Sequence, residues 1–187
     1  MDYFKEISDA FSKVEVTDAE GKVIPFTEAI SQVVELILEQ NKKGSKVMLI
    51  GNGGSASIAA HIATDLLKNG DIPALAFTNP SLLTCLFNDL GYDYVFKKPV
   101  EILAKEGDIL FSISSSGQSK NIISATMEGK KKVCFLVTFS GFKKDNPLRR
   151  LGCINFYVPS DSYGCVEITH LAICHFIADT IIRNKNK

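Results

Sequence analysis

Five short, nearly continuous apolar runs alternate with segments long enough to form helices, and this rhythm constrains the fold more than any other feature. Such runs are typical of strands buried on both faces of a parallel sheet. They occupy residues 47–50, 74–77, 109–113, 133–137 and 154–158. Because parallel strands need long crossover connections, the sequence predicts a three-layer, doubly wound α/β domain with a five-stranded parallel sheet.

Residues 1–45 are predicted to form a helical arm in front of the main domain, which we place at residues 46–187. Apolar residues recur at near-helical spacing on both sides of an interruption at residues 17–21, and Thr27 is suited to cap the second helix. The apolar face of that helix is wide and must be covered by the core or by another subunit. We expect the arm to serve in oligomerisation.

Charge and cysteine content exclude several classes of protein. The chain has 187 residues, with 21 Lys plus Arg and 21 Asp plus Glu, so its formal net charge is zero. This argues against nucleic-acid binding through bulk positive charge and against a polybasic membrane anchor. The five cysteines show no Cys-x-x-Cys spacing, and no signal peptide or apolar stretch of ~20 residues is evident. We expect a cytoplasmic protein with reduced thiols.

Two turns suited to anions follow neighbouring predicted strands. The first, GNGGSA at residues 51–56, half-matches a dinucleotide fingerprint, but the second strand ends without an acidic residue and the P-loop lysine is missing. The second is SSSGQS at residues 114–119, which could also be a polar turn in which Ser119 caps a helix. Backbone N–H groups and hydroxyls in two such turns favour a phosphate group without a nucleotide.

Histidine and carboxylate side chains are placed at helical spacing. His61 and Asp65 are four residues apart, which puts them on one face of the helix after the first turn. The last predicted helix carries Glu167, His170 and His175. Such groups can act as metal ligands or as an acid/base pair, and a histidine on an apolar helix can also be purely structural.

Together, these motifs resemble the sugar isomerase (SIS) domain family. GNGGSA with His61, NDLGY at residues 88–92 and ISSSGQS at residues 113–119 carry the likeness, which extends over residues 46–182. Within that family the chain is similar to the phosphoheptose isomerases. The resemblance implies a flavodoxin-like SIS fold and a homotetramer with active sites between subunits. It also implies conversion of sedoheptulose 7-phosphate to D-glycero-D-manno-heptose 7-phosphate, for lipopolysaccharide, capsule or S-layer glycans.

The resemblance also implies roles for individual residues. Asp65 and His175 would be the catalytic pair that moves protons through an enediol. A zinc ion, one per subunit, would be held by His61, Asp65, Glu167 and His175. The positions implied to bind the substrate and its phosphate are Asn52, Gly53, Ser55, Asp89, Ser114, Ser115, Ser116, Ser119 and Glu167.

Three departures from the family pattern affect these expectations. Asp65 replaces a glutamate, Glu167 replaces a glutamine, and Gly164-Cys165-Val166 stands where a polar Asp-x-Arg-type stretch is usual. In addition, eight residues of helix separate Glu167 from His175 by about 12 Å. Joint ligation would need both side chains to reach inward, an irregular helix start or different subunits.

Two alternatives stay open at this point. Some SIS-fold relatives lack catalytic residues and act as protein-binding factors, including in the initiation of DNA replication. The chain could also isomerise a different ketose phosphate, because substrate choice depends on pocket shape.

Overall fold

The computed structural model describes residues 2–185, which form a seven-stranded sheet flanked by helices. The strands are β1 (Glu15–Asp18), β2 (Val23–Ile24), β3 (Val47–Gly51), β4 (Ala74–Ala76), β5 (Ile109–Ser114), β6 (Phe135–Gly141) and β7 (Ile154–Val158). The helices are α1 (Tyr3–Ser12), α2 (Phe26–Lys42), α3 (Gly54–Gly70), α4 (Pro80–Leu90), α5 (Tyr94–Leu103), α6 (Lys120–Lys131) and α7 (Tyr163–Lys185), with a 3-10 turn at Leu148–Arg150.

The strand order is β2-β1-β7-β6-β5-β3-β4. The five strands from β3 to β7 pair in parallel, as the apolar runs predict. The predicted total of five strands is wrong, because β1 and β2 extend the sheet to seven. The α/β class and the parallel centre of the sheet are confirmed.

The two additional strands come from the predicted helical arm. β1 pairs antiparallel with β7, with Val16 opposite Phe156, and β2 pairs antiparallel with β1. Val16 is buried by this pairing. The stretch at residues 17–21 therefore does not simply separate two helices: it includes the end of β1 and the turn of a hairpin that covers the edge of β7.

Side chains on alternate strand positions bury two separate cores. Leu49, Phe111 and Phe139 face the core shared with α2, α3 and α7. Met48 and Leu110 face the opposite core, which α5 and α6 cover. This alternation produces the predicted three layers, and it places the carboxyl ends of β3 and β5 side by side.

Some element boundaries differ from expectation. α2 begins at Phe26 directly after Pro25, so Thr27 lies inside the helix and does not cap it. β6 begins at Phe135, because Val133 has a φ of 59° and ends the connection from α6. α4 begins at Pro80, and the Asn79 side chain caps it by accepting a hydrogen bond from the Leu82 N–H at 3.1 Å.

Among residues 2–185, one helix has the length and composition to cross a membrane, contrary to the expectation of no such stretch. That helix is α7, and half of its most apolar window is buried inside the protein. Burial of this extent is typical of a core helix, and α7 packs against α3, α2 and α1.

Candidate active site

A polar cavity of about 240 Å³ lies beyond the carboxyl ends of β3 and β5. Its walls come from the glycine turn at residues 51–56 and the serine turn at residues 114–119, where the sequence predicts an anion, and from the first turn of α7. The lining residues are Asn52, Gly53, Gly54, Ser55, Ile113, Ser114, Ser115, Ser116, Ser119, Tyr163 and Glu167. The structure thus brings together eight of the nine positions implied to bind substrate.

The glycine turn depends on Gly51 and Gly53, since a Cβ atom on Gly51 would lie 2.5 Å from backbone atoms of Ser55. Gly53 has a φ of +53°, a conformation that other residues adopt only with strain. A Cβ atom on Gly54 would overlap the Glu167 carboxylate. The turn therefore brings backbone at the N-terminus of α3 close to the cavity, where free N–H groups and the positive end of the helix dipole favour an anion.

The serine turn supplies hydroxyl groups to the same cavity. The Ser114 hydroxyl donates to the Ser119 oxygen at 3.2 Å, and Ser116 Oγ accepts from the Gln118 N–H at 3.2 Å. Ser119 occupies the N-cap position of α6, but its side chain makes no capping hydrogen bond. Ser115 Oγ is buried and has no hydrogen-bond partner among the described residues. A buried hydroxyl without a partner is costly, and a bound oxyanion would satisfy it.

A second group of polar side chains joins α3 to α7. Asp65 Oδ2 lies 3.5 Å from His61 Nε2 and 3.7 Å from His175 Nδ1. The two imidazole rings meet edge to face, with centroids 5.1 Å apart. One potential ligand atom from each of the three residues lies within 4.8 Å of the others. The helical spacing predicts the first pair, and the packing of α3 against α7 adds His175.

Glu167 and Asp89 lie outside this His/Asp/His cluster. Glu167 is half-buried and lines both the polar cavity and a neighbouring one of about 320 Å³, which His61 also lines. Glu167 therefore lies between the polar cavity and the His/Asp/His cluster. Asp89 is exposed on α4, where it accepts from the Asn88 amide at 2.8 Å, and it does not line the polar cavity.

The remaining histidine of α7 has a structural environment. His170 is fully buried, and its Nε2 lies 3.1 Å from the Ser140 carbonyl oxygen. Burial lowers the pKa of His170 to about 4, so its imidazole is neutral near pH 7.

Three site residues are not among the sequence predictions. Asn121 is fully buried and hydrogen-bonds Asn52, Tyr92 donates to the same Asn52, and Tyr163 lines the polar cavity. Asn52 also borders a mainly apolar cavity of about 440 Å³ on the α4 side. Tyr92 lies within the NDLGY motif, but no local pattern marks Asn121, because its partner lies 69 positions earlier in the chain.

The fold and the polar cavity define a doubly wound α/β protein with a serine-lined cavity at the carboxyl ends of its central strands. The family model of the SIS domain matches residues 2–141. The chain belongs to the SIS domain family.

The relatives most similar in sequence carry one name. A phosphoheptose isomerase of Sulfurimonas denitrificans is 39% identical over 158 residues, which cover 81% of this chain and 80% of that protein. A phosphoheptose isomerase of Helicobacter hepaticus is 33% identical over 166 residues, covering 86% and 84%. The structure of a phosphoheptose isomerase from Neisseria gonorrhoeae superimposes with a TM-score of 0.82 at 30% identity, over 96% of this chain and 95% of that one.

Proposed function

We propose that this protein is a phosphoheptose isomerase, an aldose–ketose isomerase that converts sedoheptulose 7-phosphate to D-glycero-D-manno-heptose 7-phosphate. The names of its relatives support this proposal. The observation that carries it is the adjacency, within one chain, of a polar cavity lined by serine hydroxyls and a cluster of acid/base side chains, connected through Glu167. The alternative of a protein-binding factor without catalytic residues is not favoured.

The polar cavity would hold the phosphate group. Hydroxyls of the serine turn, Ser55 and the N-terminus of α3 would donate hydrogen bonds to its oxygens, and Ser115 Oγ would gain the partner it lacks. Asn52, Gly53 and Glu167 would contact the sugar. Asp89 would join them only if α4 moved or another subunit supplied it, because in one chain it lies away from the cavity. Among residues 2–185, no basic side chain lines this cavity, so hydroxyl and backbone N–H groups would hold the phosphate in place of lysine or arginine.

Asp65 and His175 would perform the proton transfer. One of them takes a proton from C1 of the ketose while the other donates a proton to the C2 carbonyl oxygen, which gives the enediol. The first then returns its proton to C2 while the second removes the proton of O1, which gives the aldose and restores both groups. Asp65 lies between the two histidines, and this position orients its carboxylate. Both side chains are partly exposed, so a substrate can reach them from the surface.

The residues of the cluster fit a zinc ion. Two imidazoles and one carboxylate are a common donor set for catalytic zinc with an open position, and His61, Asp65 and His175 offer it within a small radius. When bound, zinc would supply Lewis-acid polarisation of the carbonyl oxygen. Glu167 would be a fourth ligand only after its side chain turned away from Gly54 towards His61.

A homotetrameric assembly and a cytoplasmic location complete the proposal, with lipopolysaccharide, capsule or S-layer glycan synthesis as the process served. Exposed apolar side chains on α1 and α4 support assembly. Packing of the apolar α7 into the core supports a protein that is not inserted in a membrane.

The test is incubation of the purified protein with sedoheptulose 7-phosphate, with and without zinc, while NMR follows formation of the aldoheptose phosphate. We expect conversion by the wild type and its loss in Asp65→Asn. No conversion by folded, zinc-loaded protein would overturn the proposal. Faster turnover of fructose 6-phosphate or ribulose 5-phosphate would instead support isomerisation of another ketose phosphate.

A further inference from the structure

We propose that Asn121 is a positioning residue for the sugar phosphate, because it fixes the orientation of the Asn52 amide at the cavity. Asn121 is fully buried in the first turn of α6, directly after the serine turn. Asn52 belongs to the glycine turn. Their hydrogen bonds connect the two turns that form the polar cavity, and the inference rests on the proposed function of that cavity.

The backbone of α6 determines which way both amides point. The Ile122 N–H donates to Asn121 Oδ1 at 3.0 Å, so an oxygen must occupy that position. Asn121 Nδ2 therefore faces Asn52 Oδ1, at 2.8 Å, and Asn52 Nδ2 donates back to Asn121 Oδ1, at 3.0 Å. If the Asn52 amide were turned over, its NH₂ group would face the NH₂ group of Asn121, and its oxygen would face the oxygen of Asn121.

Tyr92 completes this arrangement. Its hydroxyl donates to Asn52 Oδ1 at 3.0 Å, so that oxygen accepts two hydrogen bonds. One N–H of Asn52 remains without a partner among the described residues, and Asn52 lines the polar cavity. The side chain therefore offers the ligand a donor and not an acceptor, which suits an oxygen of the phosphate or of the sugar.

Asn121→Asp tests this role with almost no change of shape. The first turn of a helix favours a carboxylate, so the variant is expected to fold. Its second carboxylate oxygen would take the place of the N–H donor to Asn52 Oδ1. Because either orientation of the Asn52 amide would then set its oxygen against a carboxylate oxygen, the reciprocal pairing would be lost and Asn52 would no longer be held in its position at the cavity. We expect the KM for sedoheptulose 7-phosphate to rise about tenfold, with a smaller change in kcat.

A double-mutant cycle separates positioning from general destabilisation. If Asn121 acts through Asn52, then Asn121→Asp should raise KM in the wild type but not in an Asn52→Ala background. The same fold-increase in both backgrounds would overturn the proposal, as would an unchanged KM in a folded Asn121→Asp protein.

NMR of the wild type keeps the inference testable should Asn121→Asp fail to fold. We expect one Asn52 Nδ2 proton to exchange slowly with solvent and the other to exchange quickly and shift when sedoheptulose 7-phosphate is added. Equal, fast exchange of both protons would contradict the amide pairing. An absence of any binding by calorimetry would instead count against the proposed function itself.

Discussion

At the scale of single residues, Asp65 is the departure from the family pattern with the most direct consequence for the proposed proton transfer. Asp65 Oδ2 lies 3.5 Å from His61 Nε2 and 3.7 Å from His175 Nδ1, so an added methylene would shift the carboxylate relative to both imidazoles. We expect Asp65→Glu to lower kcat about 10²-fold, because a displacement of about 1 Å can cost that much in rate. Steady-state kinetics with sedoheptulose 7-phosphate measure this change.

The outcome also distinguishes a tuned residue from a decaying one. A higher kcat in Asp65→Glu would mean that the wild-type aspartate is a step towards loss of activity. Asp65→Asn is the matched control, since it keeps the length and removes the charge, and it should be at least as impaired as Asp65→Glu.

His170 makes the stability of the protein dependent on pH. Its folded pKa of about 4 lies below the unfolded value of 6.5, so the unfolded chain binds the proton more readily. The resulting loss in the free energy of unfolding is negligible near pH 7.5 and grows as the pH falls from 6.5 towards 4. Between about pH 7.5 and about pH 5, this residue should remove about 2 kcal/mol from the free energy of unfolding.

Urea denaturation of the wild type and of His170→Gln at several pH values measures this effect. The variant is less stable throughout, because it disturbs a buried contact with Ser140, but its stability should fall less steeply with acid. If the free energy of unfolding fell equally with acid in the two proteins, His170 would not be the source of the pH dependence. His61 and His175 are unchanged in both proteins and therefore cancel in the comparison.

At the scale of elements, the sequence predicts features that depend on local patterns. The parallel strands and the glycine and serine turns that line the polar cavity are visible in runs of four to seven residues. β1 and β2 are not: β1 (Glu15–Asp18) contains a single apolar residue and pairs with the distant β7, and β2 has only two residues and pairs with β1. His175 joins the His/Asp/His cluster, and Asn121 joins Asn52, only through tertiary packing, so neither contact has a local signal.

The backbone just after α6 is strained at one residue, and a substitution there can relieve the strain. The Cys134 N–H donates to the Gly129 carbonyl and the Val133 N–H to the Lys130 carbonyl, the two hydrogen bonds of a Schellman motif. Glycine usually occupies the left-handed position of this motif, but here it is Val133, with a φ of 59° and an exposed side chain. A β-branched residue is unfavourable in this conformation.

Val133→Asn should therefore stabilise the protein by about 1 kcal/mol, because asparagine tolerates the left-handed region. Thermal denaturation should show a Tm higher by about 2–4 °C. Val133→Thr is the control: it removes the apolar surface but keeps the β-branch, and it should give no comparable gain. Equal stabilisation by both variants would mean that exposure, not backbone strain, is the cause.

At the scale of the whole molecule, large apolar side chains remain exposed on two helices. On α1, Phe4 is 83% exposed, and no residue of α4 is buried although Leu82, Phe87 and Leu90 belong to it. Apolar side chains grouped on helices in this way mark surfaces that another protein covers. The relatives are similar in length to this chain, and a second copy of the same chain is the simplest protein to cover these apolar side chains.

Phe4→Glu tests whether α1 belongs to that interface. Because Phe4 makes little contact within its own chain, the substitution should leave the fold intact but place a charge where a second copy would bury an aromatic ring. We expect light scattering coupled to size exclusion to report a tetramer for the wild type and a smaller species for Phe4→Glu. Ser12→Glu adds the same charge to an exposed position of α1 without removing an aromatic ring, so it should retain the wild-type mass. If Phe4→Glu also kept the wild-type mass, α1 would not be the contact surface between subunits. If the wild type itself were a monomer, the active site would have to function within one chain.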